Sequence, residues 1–416
     1  MRICLVSNLY PPDGLGGAEI VVGLLARELR AARHDVVAVS TAPRARAGWD
    51  MVDGVRVCRL DPANLYWAGD APRRSRALKP LWHLVDVWNP IMFQRLRSLL
   101  VALKPDIVHT HNLGGLSPAA WSAARTVGLP VVHTLHDHSL TCVRAVRMTR
   151  RGRVCEQQCP PCAVRGAWLR RMSRAVDGVV APTRFVLDRH LELGFFPRAH
   201  TAVVPWGAEP MSASATPRRN DALRFLFIGS LQPHKGIGVV LEAFSRVPDA
   251  RASLDIAGAG AMAEHCRAAA RRDPRITFHG FVSGVEKERL FASSDVLLFP
   301  SLCWEAIGLV MLEAFARGVP VIASRVGGIP EFVEDGRTGV LVEPGDAAAL
   351  AGQIRRFAER PALVEAMREA CWTHASRFTW ARSASEVVDV YTIAQSRKDK
   401  NRALLPQPSV RTGEAK

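Results

Sequence analysis

Short apolar runs alternate with helix-length amphipathic segments along the first half of the chain. Residues 18–33 have the apolar period of a helix and follow the strand-like run 2–7. Further strand-like runs occupy residues 36–40, 107–110, 131–135, 178–181 and 202–205. This alternation predicts a parallel sheet covered by helices.

The same rhythm restarts after residues 211–222, a short polar segment that contains proline. A helix is expected at 239–246, and strand-like runs lie at 223–228, 252–257, 276–279, 296–299, 319–323 and 339–342. The predicted fold class is α/β, with two Rossmann-like doubly wound domains facing across a cleft. Open parallel sheets bind ligands at the carboxyl ends of their strands, so the site should face the cleft from both halves.

These patterns also predict the domain boundaries. We expect an N-terminal, acceptor-side domain at 1–210 with a cysteine-rich insertion at 142–165, a linker at 211–222 and a donor-binding domain at 223–373. A helix at 374–395 would pack back toward the N-terminal domain. Residues 396–416 are charged and contain proline, which predicts a disordered tail.

The chain is strongly basic, with 55 Lys and Arg against 39 Asp and Glu, a net charge of +16. Such an excess favours nucleotides or anionic lipid headgroups as partners. No nucleic acid partner is expected, because the basic residues form no recognised DNA- or RNA-binding motif. The sequence shows no signal peptide and no apolar run long enough to span a membrane, which predicts a cytoplasmic protein with reduced cysteines.

Residues 300–331 carry the main candidate chemistry. A strand leads into a loop with Glu305, and Gly308 then opens a helix that holds Glu313 eight positions further on. Carboxylates can accept hydrogen bonds from sugar and ribose hydroxyls, and free amides at the helix start can bind diphosphate. Alternatively, the pair is a helix-dipole acid and a solvated glutamate. Gly327 and Gly328 follow the next strand, where a bare backbone could approach a ligand closely.

Four cysteines fall in the polar insertion: Cys142, Cys155, Cys159 and Cys162. Four thiolates suit tetrahedral zinc, and a short insertion without its own core gains stability from such a metal. An iron–sulfur cluster and four unligated thiols are the alternatives, and a redox pair of Cys159 and Cys162 is less favoured because no thioredoxin-like unit surrounds it.

Residues 65–104 combine Trp67, Trp82 and Trp88 with several basic residues. Apolar and basic positions interleave at helical spacing, which is typical of an interfacial helix that reaches a lipid-linked acceptor. A helix that packs within its domain and exposes a basic face explains the same pattern.

Taken together, residues 300–331 resemble the E-x7-E signature of retaining glycosyltransferases with the two-Rossmann GT-B fold, the large family 4 group. Four further segments resemble that family's motifs in the same order: Gly16 and Gly17 in the N-terminal glycine loop, His136 after an N-domain strand, residues 229–236 with Lys235 in the diphosphate loop, and residues 279–282 beside the nucleobase.

The resemblance implies transfer of a sugar, with retention, from a UDP- or GDP-type donor to a saccharide or lipid-linked saccharide hydroxyl in cell-surface polysaccharide or glycolipid biosynthesis. His136 and Glu305 would act on the sugar, Glu313 on the ribose and Lys235 on the diphosphate. No cofactor would be required for transfer, and any zinc would be structural. The enzyme could contact the inner face of an anionic membrane peripherally. The implied donor-binding residues are Gly16, Gly17, Ser230, Lys235, Val282, Ile307, Gly308, Leu309 and Glu313.

Two positions depart from the family pattern. The family often has Arg where Ser230 stands, so diphosphate binding would depend on Lys235 or on another base such as Arg184. Ile307 replaces a common Phe and keeps an apolar side chain. The alternatives are a non-catalytic nucleotide-sugar-binding scaffold on this fold, another GT-B sugar-nucleotide enzyme such as a glycogen-synthase-like transferase or an epimerase, and a zinc-dependent nucleic-acid binder.

Overall fold

The computed structural model describes residues 1–13, 16–149, 151–209, 222–248 and 251–403. The N-terminal half contains one sheet of eight strands: β1 (Arg2–Val6), β2 (Asp35–Thr41), β3 (Gly48–Val52), β4 (Val55–Leu60), β5 (Ile107–Thr110), β6 (Val131–Thr134), β7 (Gly178–Ala181) and β8 (His200–Val203). Their order is β3-β4-β2-β1-β5-β6-β7-β8. All neighbours are parallel except β3 and β4.

The antiparallel hairpin of β3 and β4 is absent from the pattern-based prediction. Most of β3 is exposed, so it lacks the apolar run by which the other strands were found. Its turn does carry a local signal, because Asp53 and Gly54 both have positive φ, of 49° and 74°. An Asp-Gly pair between two short runs is typical of a two-residue hairpin turn.

Within the described residues, six helices accompany this sheet: α1 (Gly17–Ala31), α2 (Lys79–Val87), α3 (Pro90–Leu103), α4 (Ala119–Thr126), α5 (Pro160–Met172) and α6 (Arg184–Leu191). Strands β5, β6 and β7 are buried at every position, as expected of parallel strands covered on both faces.

The C-terminal half contains a second, fully parallel sheet of six strands: β9 (Leu223–Ile228), β10 (Ala252–Ala257), β11 (Ile276–Gly280), β12 (Val296–Phe299), β13 (Val321–Ser324) and β14 (Gly339–Val342). The order β11-β10-β9-β12-β13-β14 is that of a doubly wound nucleotide-binding sheet. Seven helices belong to this part of the chain: α7 (Ile237–Ser245), α8 (Ala263–Arg272), α9 (Gly284–Ser293), α10 (Leu309–Ala316), α11 (Ala347–Glu359), α12 (Ala362–Ala375) and α13 (Trp380–Ala403). The predicted fold class is confirmed.

Helix α13 packs on the N-terminal sheet. Val387 and Tyr391 share a buried apolar cluster with Val132 and Val180 of β6 and β7. The helix differs in extent from the expected 374–395: it begins at Trp380 and continues to Ala403, so the expected tail is helical over 396–403. Apolar i, i+3 and i+4 positions such as these hold a helix to a sheet beyond the point where local composition suggests disorder. Residues 404–416, and 210–221 of the expected linker region, lie outside the described residues.

Among the described residues, the helices are too short or too polar to cross a bilayer.

Candidate active site

A cavity of about 420 Å³ opens between the carboxyl edges of the two sheets. The N-terminal half contributes the start of α1 and the loops after β5 and β6, and the C-terminal half contributes the loops after β9 and β12. This position is where ligands bind in doubly wound sheets. Nine of the eleven residues predicted for the site line the cavity: Gly16, Gly17, His136, Ser230, Lys235, Glu305, Ile307, Gly308 and Leu309.

Glu305 lies in the loop after β12 and is only 7% exposed. Its Oε1 atom accepts hydrogen bonds from Lys235 Nζ at 2.6 Å and from Ser301 Oγ at 2.6 Å. Burial acts to lower the pKa of Lys235, but the charge and hydrogen bond of Glu305 outweigh it and hold that pKa above its usual value. The cavity wall therefore carries a permanent ammonium group beside a carboxylate.

The glycine pair after β13 holds the backbone of Glu305. Gly328 N–H donates to the Glu305 carbonyl at 2.8 Å. Gly327 has φ of 63°, and a Cβ atom there would lie 2.6 Å from the Glu305 amide nitrogen. A side chain is excluded both by the left-handed conformation and by this contact. Neither glycine lines the cavity, and the close approach that the structure shows is to the Glu305 loop. An approach of this backbone to a ligand stays a prediction.

Two helix starts meet at the cavity. Gly308 precedes α10 and Gly16 precedes α1, and as glycines neither can cap its helix with a side chain of its own. At α1 the Glu19 carboxylate, which also lines the cavity, accepts from the backbone of Gly16 and Glu19. A Cβ on Gly17 would lie 3.7 Å from Leu309 Cδ1, so the two helix starts lie close to each other across the cleft. The first amides of a helix lack intrahelical partners and carry the positive end of its dipole. Together with Lys235 they form a site suited to a polyanion such as a diphosphate.

His136 follows β6 and lies on the opposite wall. Its Nε2 atom is 2.9 Å from Nδ1 of His111, and its ring stacks on Trp206 with centroids 6.1 Å apart. Burial lowers the pKa of His136 to about 3. The imidazole is therefore neutral at physiological pH and acts through hydrogen bonds rather than through charge.

Ser230 lines the cavity, but Arg184, the base suggested as its substitute, does not. The backbone N–H groups of Arg184 and Phe185 instead donate to the Glu331 carboxylate, both at 2.7 Å, which caps α6 from the other half of the chain. The cysteine-rich insertion places another base near His234 of the cavity wall, although this base does not itself line the cavity. Burial and the charge of Lys235 lower the pKa of His234, and Arg144 is close enough to lower it further.

Glu313 and Val282 are not among the residues that line this cavity. Glu313 lies on α10 and accepts a hydrogen bond from Lys287 Nζ of α9 at 2.6 Å. Val282 is 7% exposed and packs in the apolar core beyond β11. Their roles at the ribose and the nucleobase stay predictions.

The cysteines of the insertion are neighbours in space. Cys159 precedes α5, where the amide and thiol of Cys162 lower its pKa. Arg144 N–H donates to Cys142 Sγ at 3.4 Å, and Val143 N–H donates to Cys162 Sγ at 3.5 Å. In the part of the chain that the structure describes, no three or more His, Cys, Asp or Glu side chains are arranged to hold a metal ion. Zinc binding by Cys142, Cys155, Cys159 and Cys162 stays a prediction.

The prediction missed several residues that the structure brings to the site. Ser301 binds Glu305, Asn112 and Trp206 line the cavity, and His111 binds His136. A signal for His111 exists in the sequence, because His109 and His111 end the β5 segment, and the carboxyl end of a parallel strand is where functional side chains gather.

Known families match both halves of the chain. Residues 15–210 match a sequence model described as Glycosyltransferase Family 4, and residues 222–360 match one described as Glycosyl transferases group 1. D-inositol 3-phosphate glycosyltransferase of Streptomyces griseus is 33% identical over 332 residues, covering 70% of this chain and 67% of that protein. An uncharacterized 42.6 kDa protein in the cps region of Klebsiella pneumoniae is 27% identical over 334 residues, covering 80% and 87%.

Solved structures agree on the fold. Sucrose-phosphate synthase from Thermosynechococcus elongatus superimposes with a TM-score of 0.73 at 20% identity, covering 95% of this chain and 99% of that one. Anabaena HepE in complex with UDP-glucose gives a TM-score of 0.67 at 18% identity, covering 97% and 100%. Two facing Rossmann-like domains with a shared cleft define the GT-B class of glycosyltransferases. The chain belongs to this glycosyltransferase family and is an enzyme of the hexosyltransferase type.

Proposed function

We propose that the enzyme transfers a hexose-like sugar from a UDP- or GDP-type donor to a saccharide or lipid-linked saccharide hydroxyl, with retention at the anomeric carbon. One observation carries the proposal. The Lys235–Glu305 ion pair lies in one cavity with the starts of α1 and α10, each of which begins after a glycine.

These groups match the charges of the reaction. A nucleoside diphosphate leaves with growing negative charge, which Lys235 and the helix-start amides can stabilise in place of a metal ion. Glu305 has a second carboxylate oxygen available to accept sugar hydroxyls while Oε1 is held by Lys235 and Ser301. His136, neutral and on the facing wall, can hydrogen-bond the sugar from the other side.

Relatives support the substrate classes. HepE was solved with UDP-glucose, one structural neighbour is a lipopolysaccharide outer core galactosyltransferase, and one sequence relative is encoded in a cps region. With this support we propose that the reaction belongs to cell-surface polysaccharide or glycolipid biosynthesis, on the cytoplasmic side of the membrane.

A panel of UDP-, GDP- and ADP-sugars tests the proposal. A donor that binds only the folded state raises the melting temperature, and the anomeric configuration of the product is then read by NMR. We expect turnover of a UDP- or GDP-sugar with retention. Preference for an ADP-sugar would favour a glycogen-synthase-like enzyme, whereas UDP binding without turnover of any donor would favour a scaffold.

We further propose that one face of the N-terminal half contacts an anionic membrane. Helix α2 exposes Leu81 and Leu84, and α5 exposes Val164 and Trp168. Trp168 Nε1–H donates to the Val87 carbonyl at 3.0 Å, so α5 lies beside the end of α2. Apolar side chains within a basic protein suit an anionic interface.

Co-sedimentation with vesicles tests the membrane contact. We expect binding to phosphatidylglycerol-containing vesicles that weakens with salt and is lost in Leu84→Glu. Trp49→Glu alters another exposed apolar residue, on β3, and should bind as wild type does. Equal binding by both variants would contradict this surface.

A further inference from the structure

Three histidines form a buried row that ends at the cavity. His109 and His111 of the β5 segment have ring centroids 4.2 Å apart, and His111 in turn lies 5.1 Å from His136. His109 and His111 are fully buried. Of the three, only His136 lines the cavity.

The first ring of the row is fixed at both nitrogens. His109 Nδ1 is 2.6 Å from the hydroxyl of Tyr391 on α13, and His109 Nε2 is 2.7 Å from Thr134 Oγ1. This ring therefore forms a rigid wall against which His111 packs. The orientation of His111, and of its Nδ1 atom toward His136, is set by the fold.

Only one proton can lie between His111 and His136. Both imidazoles are neutral, because burial holds the pKa of His136 at about 3 and that of His111 well below its usual value. In the 2.9 Å contact between His111 Nδ1 and His136 Nε2, one nitrogen must donate and the other accept. Each choice also fixes whether the second nitrogen of each ring carries a proton or a lone pair.

The far nitrogen of His111 distinguishes the two choices. His111 Nε2 is buried and has no hydrogen-bond partner among the described residues. If His136 donated, the proton of His111 would lie on this atom as a buried N–H without an acceptor, and such orphaned donors are rare. If His111 donates from Nδ1, its Nε2 carries only a lone pair.

We propose that His111 is a positioning residue that donates from Nδ1 to His136 Nε2 and so makes His136 Nδ1–H a hydrogen-bond donor toward the donor sugar. His111 thereby sets both the direction and the polarity of His136. The use of this donor on the sugar rests on the proposed function, whereas the protonation pattern itself does not.

NMR of the full chain labelled with ¹⁵N-histidine tests the protonation pattern directly. We expect a pyrrole-like Nδ1 and a pyridine-like Nε2 for both His136 and His111, with resonances assigned from His111→Asn and His136→Gln. The reverse pattern at His136 would overturn the proposal, whatever the enzyme's substrate.

Kinetics test the consequence. His111→Phe keeps a planar ring but removes the donor, and we expect about a tenfold lower kcat with UDP affinity unchanged within about twofold. His111→Asn places an amide N–H near the former Nδ1 and should restore most of the activity. Wild-type activity in His111→Phe would contradict the proposal, and so would a His111→Asn variant that is no more active than His111→Phe.

A matched variant separates this effect from damage to the core. His133→Phe removes another buried imidazole of the same sheet, one that bonds Thr110 and does not line the cavity. It should lose stability but keep kcat. If wild-type protein turns over no nucleotide sugar, the proposed function fails, while the NMR result still decides the role of His111.

Discussion

Lys235 Nζ lies 2.6 Å from Glu305 Oε1, although the two residues are 70 positions apart in the chain. A second ion pair of the same length joins Lys287 to Glu313 outside the cavity. The two lysines are about equally exposed, 29% and 27%. The chain thus offers two matched pairs, of which only one faces the cleft.

Lys235→Ala should lower kcat by about 10²- to 10³-fold, because it removes charge that stabilises the leaving diphosphate. Lys287→Ala makes the same change at the matched pair and should lower kcat by less than about twofold. Steady-state turnover of the donor identified by the sugar panel measures both. Equal losses would show that the ion pair acts on stability and not on the reaction.

Glu313→Gln tests whether this carboxylate binds the ribose. The variant Lys287→Ala removes the partner of Glu313 and breaks only this half-buried ion pair, which is worth about 0.2–1 kcal/mol of stability. If Glu313 also holds ribose hydroxyls, we expect Glu313→Gln to raise the donor KM by about tenfold while Lys287→Ala leaves it unchanged. A donor KM that is the same in both variants would assign Glu313 to the ion pair alone.

Gly327→Ala should lower turnover strongly, because the new Cβ would meet the Glu305 amide at 2.6 Å and displace the carboxylate. Gly336→Ala is its control: that glycine also has positive φ, of 81°, but a Cβ there has open space. Both should lose about 1 kcal/mol or more of stability from backbone strain. Only Gly327→Ala should lose turnover, and comparable activity in the two variants would contradict this support for Glu305.

Acid should destabilise the protein below about pH 6.5. Burial is the main cause of two lowered pKa values: that of His138 falls from an ordinary 6.5 to about 3, and that of His190 falls to about 4. Below pH 6.5 the unfolded chain therefore binds protons that the native state does not. The contribution of these histidines to the free energy of unfolding is fully present above pH 6.5, and it falls below that pH by up to ~1.4 kcal/mol per pH unit per histidine.

His138→Phe isolates one such group, since both ring nitrogens of His138 are buried without a hydrogen-bond partner among the described residues. Unfolding in urea at pH 7.5, 6.5 and 5.5 should show a smaller acid loss in this variant than in wild type. His265→Phe alters an exposed histidine and should keep the wild-type slope. An unchanged slope in His138→Phe would contradict the linkage.

Metal analysis of the purified protein tests the zinc prediction. We expect one zinc per chain, lost together with part of the thermal stability in Cys159→Ser/Cys162→Ser, because metal binding contributes to folding free energy. Cys266→Ser changes a buried cysteine of α8 and should retain the metal. Purified protein that contains no metal, and in which a thiol reagent modifies all four cysteines of the insertion, would rule zinc out.

Much of the fold and part of the site could be predicted from local patterns. Most strands are mainly apolar, so twelve of the fourteen strands in the described residues were found, whereas the exposed β3 and its partner β4 were not. Glu305 and Lys235 were identified by the loops that carry them. Arg184, the suggested substitute for the missing arginine, does not line the cavity, and its role at the diphosphate stays a prediction.

The sequence by itself determined the two-domain α/β fold and the segments that form the cleft, since hydrophobic period and turn residues act between near neighbours in the chain. Only the tertiary structure decided that Lys235 pairs with Glu305, that Glu313 pairs with Lys287, and that His111 contacts His136. These contacts join distant segments, and hydrogen bonds and ion pairs depend on distances of about 3 Å that no local pattern encodes.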